Sequence, residues 1–170
     1  MLTVVYLGLG SNLGDKRRNL EDTVRRLREL GEGLEVSSFH ETAPWGYADQ
    51  PTYVNAACRF QTRLDPFELH AAVRMIEREV QDTKPFVNGP RFLDVDLLLY
   101  GRLVIDAPGL TVPHARMAGR EFVLAPLAEI APDIIHPVLK ETIASLLAKL
   151  ALPARSLTEA QALRETSTRS

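Results

Sequence analysis

Apolar and polar positions along the chain follow two different periods, and the change of period predicts the first elements. Residues 2–9 form an apolar run that ends in a Gly-Ser-Asn-Leu-Gly turn, as a buried strand does. From Asp15 the apolar residues recur every three or four positions as far as Leu30, which predicts an amphipathic helix closed by Gly31.

A second helix has the clearest start in the chain. Asp65 suits an N-cap, Pro66 follows at the first helical position, and Glu68 completes a capping-box arrangement. The other predicted elements are strands at 36–42, 53–62 and 92–100 and short helices around 121–124 and 141–150.

The predicted order is strand, helix, two strands, helix, strand and then helices. Short links mixed with helical crossovers indicate an α+β layered sandwich rather than a repeating βαβ unit. We expect one domain over residues 1–152 and a polar, flexible tail over 153–170.

Composition and charge narrow the classes of function. The 170 residues include 20 Lys and Arg against 22 Asp and Glu, a net charge of −2, which argues against a general nucleic-acid or membrane-surface binder. The single Cys58 cannot form an internal disulfide. No apolar run approaches the roughly 20 residues that span a bilayer, and the N-terminus lacks signal-peptide features, so a cytoplasmic location is expected.

Two carboxylates in an apolar run are the sharpest chemical feature. Asp94 and Asp96 lie two residues apart in a predicted strand, so their side chains share one face. Oxygen ligands on one face suit Mg²⁺, which is often completed by substrate phosphates. The alternative is an edge strand with both carboxylates in water.

Basic and titratable residues surround this pair in the sequence. Arg91 precedes it, and His114, Arg116 and Arg120 follow it. A predicted helix stripe carries His70, Arg74 and Glu77. Carboxylates together with Arg and His are the groups that phosphoryl transfer requires. Taken singly, each Arg is better interpreted as a solvated surface charge.

Two other patterns bear on ligand binding. The glycine-rich residues 8–16 fit neither common phosphate-binding motif, so a tight strand-to-helix turn is the interpretation there. Tyr53 and Asn55 share a strand face, and an aromatic ring beside a carboxamide suits a flat heterocycle. A half-exposed sheet face is the alternative for this pair.

Four strings in order carry a resemblance to a known family: YLGLGSNLGD at 6–15, ETAPWGYADQPTYVNAAC at 41–58, GPRFLDVDLLLYG at 89–101 and LTVPHARMAGREFVLAPLAEIAP at 110–132. They closely resemble 6-hydroxymethyl-7,8-dihydropterin pyrophosphokinase. The resemblance implies a ferredoxin-like α+β fold and transfer of pyrophosphate from ATP to the pterin hydroxyl, with AMP as the second product. It also implies two Mg²⁺ ions.

The resemblance carries residue roles to this chain by position. Asp94 and Asp96 would hold the two Mg²⁺ ions. The pterin pocket would comprise Thr42, Trp45, Tyr53, Asn55 and Phe122. The ATP side would comprise Glu77, Lys84, Arg91, Leu97, Thr111, His114 and Arg120. Of these, Arg91, His114 and Arg120 would stabilise charge as the pterin hydroxyl attacks the β-phosphorus.

One stretch departs from the family pattern. Gln81, Asp82, Val87 and Asn88 stand where the family's mobile loop has arginines and a Trp. Arg74 stands where Gln is frequent. The departure predicts slower turnover more than weaker pterin binding.

Two other readings of function stay open. One is a non-catalytic or very slow pterin or nucleotide sensor, and the other is a Mg²⁺-dependent transferase acting on another small alcohol. The partners expected are the small-molecule substrates alone, with no nucleic acid and no membrane. The chain is expected to be a monomer or weak dimer.

Overall fold

The helices and strands follow the predicted order closely. The structure, a computed structural model, describes residues 1–43, 49–80 and 92–151. The strands are β1 (Thr3–Ser11), β2 (Glu32–Val36), β3 (His40–Thr42), β4 (Tyr53–Thr62), β5 (Asp94–Tyr100), β6 (Ile105–Ala107) and β7 (Leu110–Val112). The helices are α1 (Lys16–Leu27), α2 (Pro66–Val80), α3 (Glu121–Ile130) and α4 (143–151), with single 3₁₀ turns at Arg28–Leu30 and Met117–Gly119.

Five strands form one antiparallel sheet. Its order is β2-β4-β1-β5, and β3 pairs with the same strand as β2, further along β4. Counting β2 and β3 together as the second strand, the first six elements are a βαββαβ unit with strand order 2-3-1-4, which is the ferredoxin-like arrangement. The predicted fold class, α+β with a ferredoxin-like sheet covered by helices, is confirmed.

Each face of the sheet packs against its own helices. The α1/α2 face buries alternate residues of β1, namely Val5, Leu7 and Leu9, against helix residues such as Leu20 and Leu69. The α3/α4 face has a separate core that includes Leu98, Met117, Val123, Leu124, Leu127 and Ile143. Because strand side chains alternate, the same strands supply both cores.

Local signals explain why α2 begins where it does. Asp65 Oδ1 accepts hydrogen bonds from the backbone N–H groups of Phe67 and Glu68, and Glu68 Oε2 accepts from the Asp65 N–H at 2.8 Å. This is the reciprocal capping box that the sequence predicts.

Three predicted elements differ in the structure. The strand expected at 36–42 is split into β2 and β3. Between them, Ser37 Oγ accepts a hydrogen bond from the Ala57 N–H of β4, and the Ser38 N–H donates to Glu129 of α3. Helix α3 continues to Ile130, past Pro126, where its buried apolar face outweighs the missing N–H. The short β6–β7 hairpin was not predicted, although its Pro108–Gly109 turn, with Gly109 at φ +81°, is a recognisable signal.

Some predictions fall outside the described residues. The tail over 153–170 and the divergent loop positions 81–88 are among these. Within the part of the chain that the structure describes, no helix is long and apolar enough to cross a membrane.

Candidate functional site

Two glycines of β1 form the floor of the site. Gly10 lies between Asn55 of β4 and Asp94 of β5, while Gly8 lies between Ala57 and Asp96. The glycines therefore separate the predicted pterin residue from the predicted metal residues by two strand spacings, roughly 10 Å. The predicted strand over 2–9 includes Gly8, as observed, but the turn predicted to begin with these glycines is wrong at Gly10, because β1 runs through to Ser11 and the turn occupies 12–15.

A cavity of about 330 Å³ opens above this floor. The predicted site residues that line it are Thr42, Tyr53, Asn55, Asp94, Asp96, His114, Arg120 and Phe122. Residues from β3, β4, β5, the segment after β7 and the start of α3 thus meet at one place.

The side of this cavity near β3 combines an amide with aromatic rings. Asn55 is almost fully buried, and its Nδ2 donates a hydrogen bond to Thr42 Oγ1. A Cβ on Gly10 would stand 3.0 Å from Asn55 Oδ1, so only glycine leaves this amide oxygen its present space. The Arg120 guanidinium lies 5.5 Å from the centre of the Phe122 ring.

The acidic pair lies at the opposite side. Burial, and next the charge of Asp94, raises the pKa of Asp96 to about 7, well above the ordinary value of 3.8. The positive charges of Arg74 and Arg120 act in the opposite direction. The folded chain thus holds two neighbouring carboxylates in a place that disfavours a second negative charge, and a cation between them would relieve this cost.

His114 presents one ring nitrogen to this acidic pair. Its backbone N–H donates to the Leu98 carbonyl at 2.9 Å, and its Nδ1 accepts from the Arg116 N–H at 3.2 Å. The neutral ring therefore carries its hydrogen on Nε2, which lies 3.8 Å from Asp96 Oδ2. Burial, and then the charge of Arg120, lowers the pKa of His114, so near neutral pH this nitrogen is a neutral donor.

Arg120 is one of the cationic residues that line the cavity. It stands directly before α3, where the helix N-terminus also favours an anion. Among the described residues, its buried Nε has no hydrogen-bond partner. A buried N–H without a partner is costly, and a phosphate oxygen of a substrate would satisfy it.

A second cavity of about 330 Å³ adjoins the first. Leu97 and Thr111, both predicted on the ATP side, line it together with His70, Gly109, Leu110 and Ala115. Four residues line both cavities: Arg74, Asp96, His114 and Arg116. The two cavities therefore meet at the acidic residue and the histidine.

Other predicted residues lie elsewhere. Glu77 lines neither cavity and is buried beneath β5, where it accepts a hydrogen bond from the Val95 N–H at 2.7 Å. Trp45, Lys84 and Arg91 fall outside the described residues.

Comparison with known proteins decides the family. A model of the family described as 7,8-dihydro-6-hydroxymethylpterin-pyrophosphokinase (HPPK) matches residues 6–132. The chain belongs to the HPPK family.

Relatives support this HPPK assignment. The chain is 43% identical over 136 residues to the 2-amino-4-hydroxy-6-hydroxymethyldihydropteridine pyrophosphokinase of Bacillus subtilis, with 79% of this chain and 81% of that protein covered. It is 39% identical over 150 residues to the folic acid synthesis protein fol1 of Schizosaccharomyces pombe, with 86% of this chain and 20% of that protein covered. The chain therefore spans about a fifth of the length of that fungal relative.

Solved structures share the HPPK fold. The crystal structure of Plasmodium falciparum HPPK-DHPS with pteroate has a TM-score of 0.70 and 16% identity, with 88% of this chain and 42% of that chain covered. A second HPPK-DHPS structure, described as a complex with substrates, also has a TM-score of 0.70, at 14% identity.

The donor set of this HPPK chain fits a magnesium ion that substrate phosphates complete. Among the described residues, no group of three or more His, Cys, Asp or Glu side chains could hold a metal. Asp94 and Asp96 supply two carboxylates on one wall of the cavity, and Mg²⁺ commonly takes one or two carboxylates plus phosphate oxygens and waters. The raised pKa of Asp96 marks the charge that such an ion would balance.

Sequence reasoning missed several residues of the HPPK site. The sequence interpretation gives Gly8 and Gly10 no ligand role, although their spacing of two in an apolar run is that of a strand face without side chains. Arg74 and Arg116 were noticed as neighbours but not placed in the site, and both line the two cavities. No local signal distinguishes these arginines from solvated ones.

Proposed function

We propose that this chain transfers the β,γ-pyrophosphoryl group of ATP to the hydroxyl of 6-hydroxymethyl-7,8-dihydropterin. The products are AMP and the pterin diphosphate. Besides family membership, one observation carries the proposal: two cavities meet at Asp96, His114, Arg74 and Arg116. Such a junction suits two substrates that react where they touch.

The first cavity supplies groups for the pterin. Thr42, Tyr53, Asn55 and Phe122 surround a space whose floor is glycine. Because Asn55 Nδ2 is engaged by Thr42, its Oδ1 is the atom directed to the donor edge of the ring. Phe122 offers a face for stacking.

The second cavity and the junction supply groups for ATP. Leu97 and Thr111 contribute to the nucleotide side, and His114 Nε2–H and the Arg120 guanidinium donate to phosphate oxygens. Attack of the pterin oxygen on the β-phosphorus forms the new O–P bond and breaks the bond to the bridging oxygen, which leaves with AMP. The hydroxyl proton passes to water. His114 and Arg120 stabilise the charge that develops on the phosphates.

Asp94 and Asp96 would hold the two Mg²⁺ ions together with the triphosphate. When bound, the ions neutralise and orient the phosphates. Arg91 and Lys84 are proposed to approach the triphosphate, and Trp45 to contribute to the pterin pocket. The cytoplasmic location, the monomeric or weakly dimeric state and the domain limits at 1–152 stay predictions.

The direct test mixes the purified chain with ATP, Mg²⁺ and the pterin alcohol and follows AMP release. We expect AMP and the pterin diphosphate in equal amounts. Omission of the pterin should abolish AMP formation, which separates transfer from ATP hydrolysis.

A negative result is also informative. If no AMP forms while the pterin binds and is released unchanged, the enzyme proposal is wrong and the chain is a binding protein. If another small alcohol supports faster AMP release, the proposed transfer reaction is correct but the proposed pterin substrate is wrong.

A further inference from the structure

Strand β5 lies at an edge of the sheet. Even so, both backbone polar groups of Val95, the residue between its two aspartates, have hydrogen-bond partners. In the sheet order β2-β4-β1-β5, the far side of β5 has no neighbouring strand among the described residues. At Val95 helix α2 supplies what a strand would. Glu77 Oε1 accepts from the Val95 N–H at 2.7 Å, and Arg74 Nη2 donates to the Val95 carbonyl at 3.0 Å.

The two helix residues are joined to each other as well. Arg74 Nη1 pairs with Glu77 Oε2, and the two side chains are one turn apart on α2. The third side of the guanidinium is also engaged, since Arg74 Nε donates to His70 Nε2 at 3.2 Å. Glu77 is only 4% exposed, so its carboxylate depends on these contacts.

This arrangement ties both backbone polar groups of Val95 to α2. Asp94 and Asp96 are its direct neighbours in the chain and both line the first cavity. A rotation of the Val95 backbone would move both carboxylates at once. Groups that hydrogen-bond to a metal ligand commonly fix the orientation of that ligand. Here Arg74 and Glu77 would act on the two aspartates through the Val95 backbone.

We propose that Arg74, acting with Glu77 on the Val95 backbone, is a positioning residue that sets the separation and direction of Asp94 and Asp96 for a divalent cation. The proposal rests on the proposed function, because it takes the two aspartates as the metal ligands. Three engaged nitrogens require the planar fork of a guanidinium, which the single ammonium of Lys cannot reproduce.

A direct contact between Arg74 and the substrate phosphates is the competing role, since Arg74 lines both cavities. The two roles differ in one measurable respect. A positioning residue affects nucleotide binding only when the metal is present, whereas a phosphate contact affects it with and without metal.

The test uses R74K, which keeps the charge beside Glu77 but loses the fork. Mn²⁺ binding to the chain with α,β-methylene-ATP is measured from the paramagnetic resonance signal of free Mn²⁺, a readout that needs no turnover. We expect R74K to bind Mn²⁺ about 10- to 100-fold more weakly, the range typical of lost outer partners. Affinity for the analogue in EDTA should stay within about twofold.

The matched control is R78K, because Arg78 is an exposed residue one turn further along α2. It should leave both affinities unchanged. Thermal unfolding is followed for each variant. If R74K does not fold, the double variant R74Q/E77Q, which removes the buried charge together with the guanidinium, takes its place with the same expected loss.

Two results would overturn the positioning role. One is Mn²⁺ binding by R74K as tight as that of the unaltered chain. The other is an equal loss of affinity with and without metal, which would identify a phosphate contact.

D96N and AMP release together separate failure of this proposal from failure of the proposed function. If D96N binds Mn²⁺ as tightly as the unaltered chain, Asp96 is not a metal ligand and the positioning role is wrong, whereas AMP formation by the unaltered chain shows whether the transfer activity itself stands. If D96N loses the metal while R74K keeps it, the positioning role alone is wrong.

Discussion

The two faces of the sheet are made by the same strands and differ in what alternate positions carry. On the α1/α2 face, β1 presents Val5, Leu7 and Leu9, and helices cover them completely. On the other face the same strand presents Gly8 and Gly10 where α3 and α4 leave it uncovered, and the cavity opens there. The candidate site therefore lies where β1 carries glycines instead of larger side chains. Polar side chains of the neighbouring strands β4 and β5 border it.

The difference assigns separate tasks to the two faces. The α1/α2 face supplies burial and holds the strands in register, because apolar area removed from water stabilises the fold. At its open end, the α3/α4 face tolerates the raised pKa of Asp96 and, among the described residues, the unpartnered buried Nε–H of Arg120. Substitutions on the first face should thus change stability, and substitutions at the open end of the second should change binding and catalysis.

The largest expected effect concerns stability on the covered face. Leu69 on α2 is fully buried, so Leu69→Ala should lower the free energy of unfolding by about 2–5 kcal/mol. Phe67→Ala on the same helix is the control, since Phe67 is 54% exposed and should cost less than about 0.5 kcal/mol. Urea denaturation measures both. Equal losses would contradict the assignment of Leu69 to the core that stabilises this face.

Next in size is the loss of one carboxylate on the open face. Asp96→Asn should lower kcat for AMP formation by at least about 100-fold, because it removes one of the two carboxylates proposed to hold Mg²⁺. The free energy of unfolding should not fall, since the asparagine ends the repulsion with Asp94. Asp106→Asn, on exposed β6, serves as the control. A variant that retains a tenth or more of the activity would contradict the assigned role of Asp96.

A smaller effect is expected from one added methyl group on the glycine floor. Gly10→Ala would place a Cβ 3.0 Å from Asn55 Oδ1, so we expect roughly tenfold weaker pterin binding by calorimetry, about 1.4 kcal/mol. ATP affinity should be unaffected. Gly119→Ala, whose Cβ would meet open space, is the control. Unchanged pterin affinity in Gly10→Ala would show that the ring does not approach this strand.

A further effect is a pH dependence of stability that involves Asp96. Its folded pKa of about 7 lies above the ordinary 3.8, so the folded metal-free chain binds more protons than the unfolded one between these values. The contribution of Asp96 to stability is thus full below about pH 4 and is lost as the pH rises through 7. The difference in unfolding free energy between the unaltered chain and Asp96→Asn, measured from pH 4 to 8, should follow this course. A flat difference would contradict it.

Local signals predicted most elements because each depends on nearby residues. The capping box at Asp65 and the alternation along 53–62 are complete within a few positions, and α2 and β4 match them. The split of the strand at 36–42 was missed because it depends on a contact between Ser38 and Glu129, 91 positions apart. Helix α3 was cut short at Leu124 because Pro126 is a strong local breaker, whereas the core beneath it is not visible locally.

In the candidate site, too, the sequence predicted the local features and missed those that depend on distant contacts. The sequence by itself determined that Asp94 and Asp96 share a face, because strand period is a local property, and its motifs identified the HPPK family. Only the tertiary structure decided that Gly8 and Gly10 form the floor between Asn55 and the aspartates, and that Arg74 and Glu77 hold Val95. Those relations join strands and helices far apart in the chain, and packing on both faces sets their register, which no short window of residues encodes.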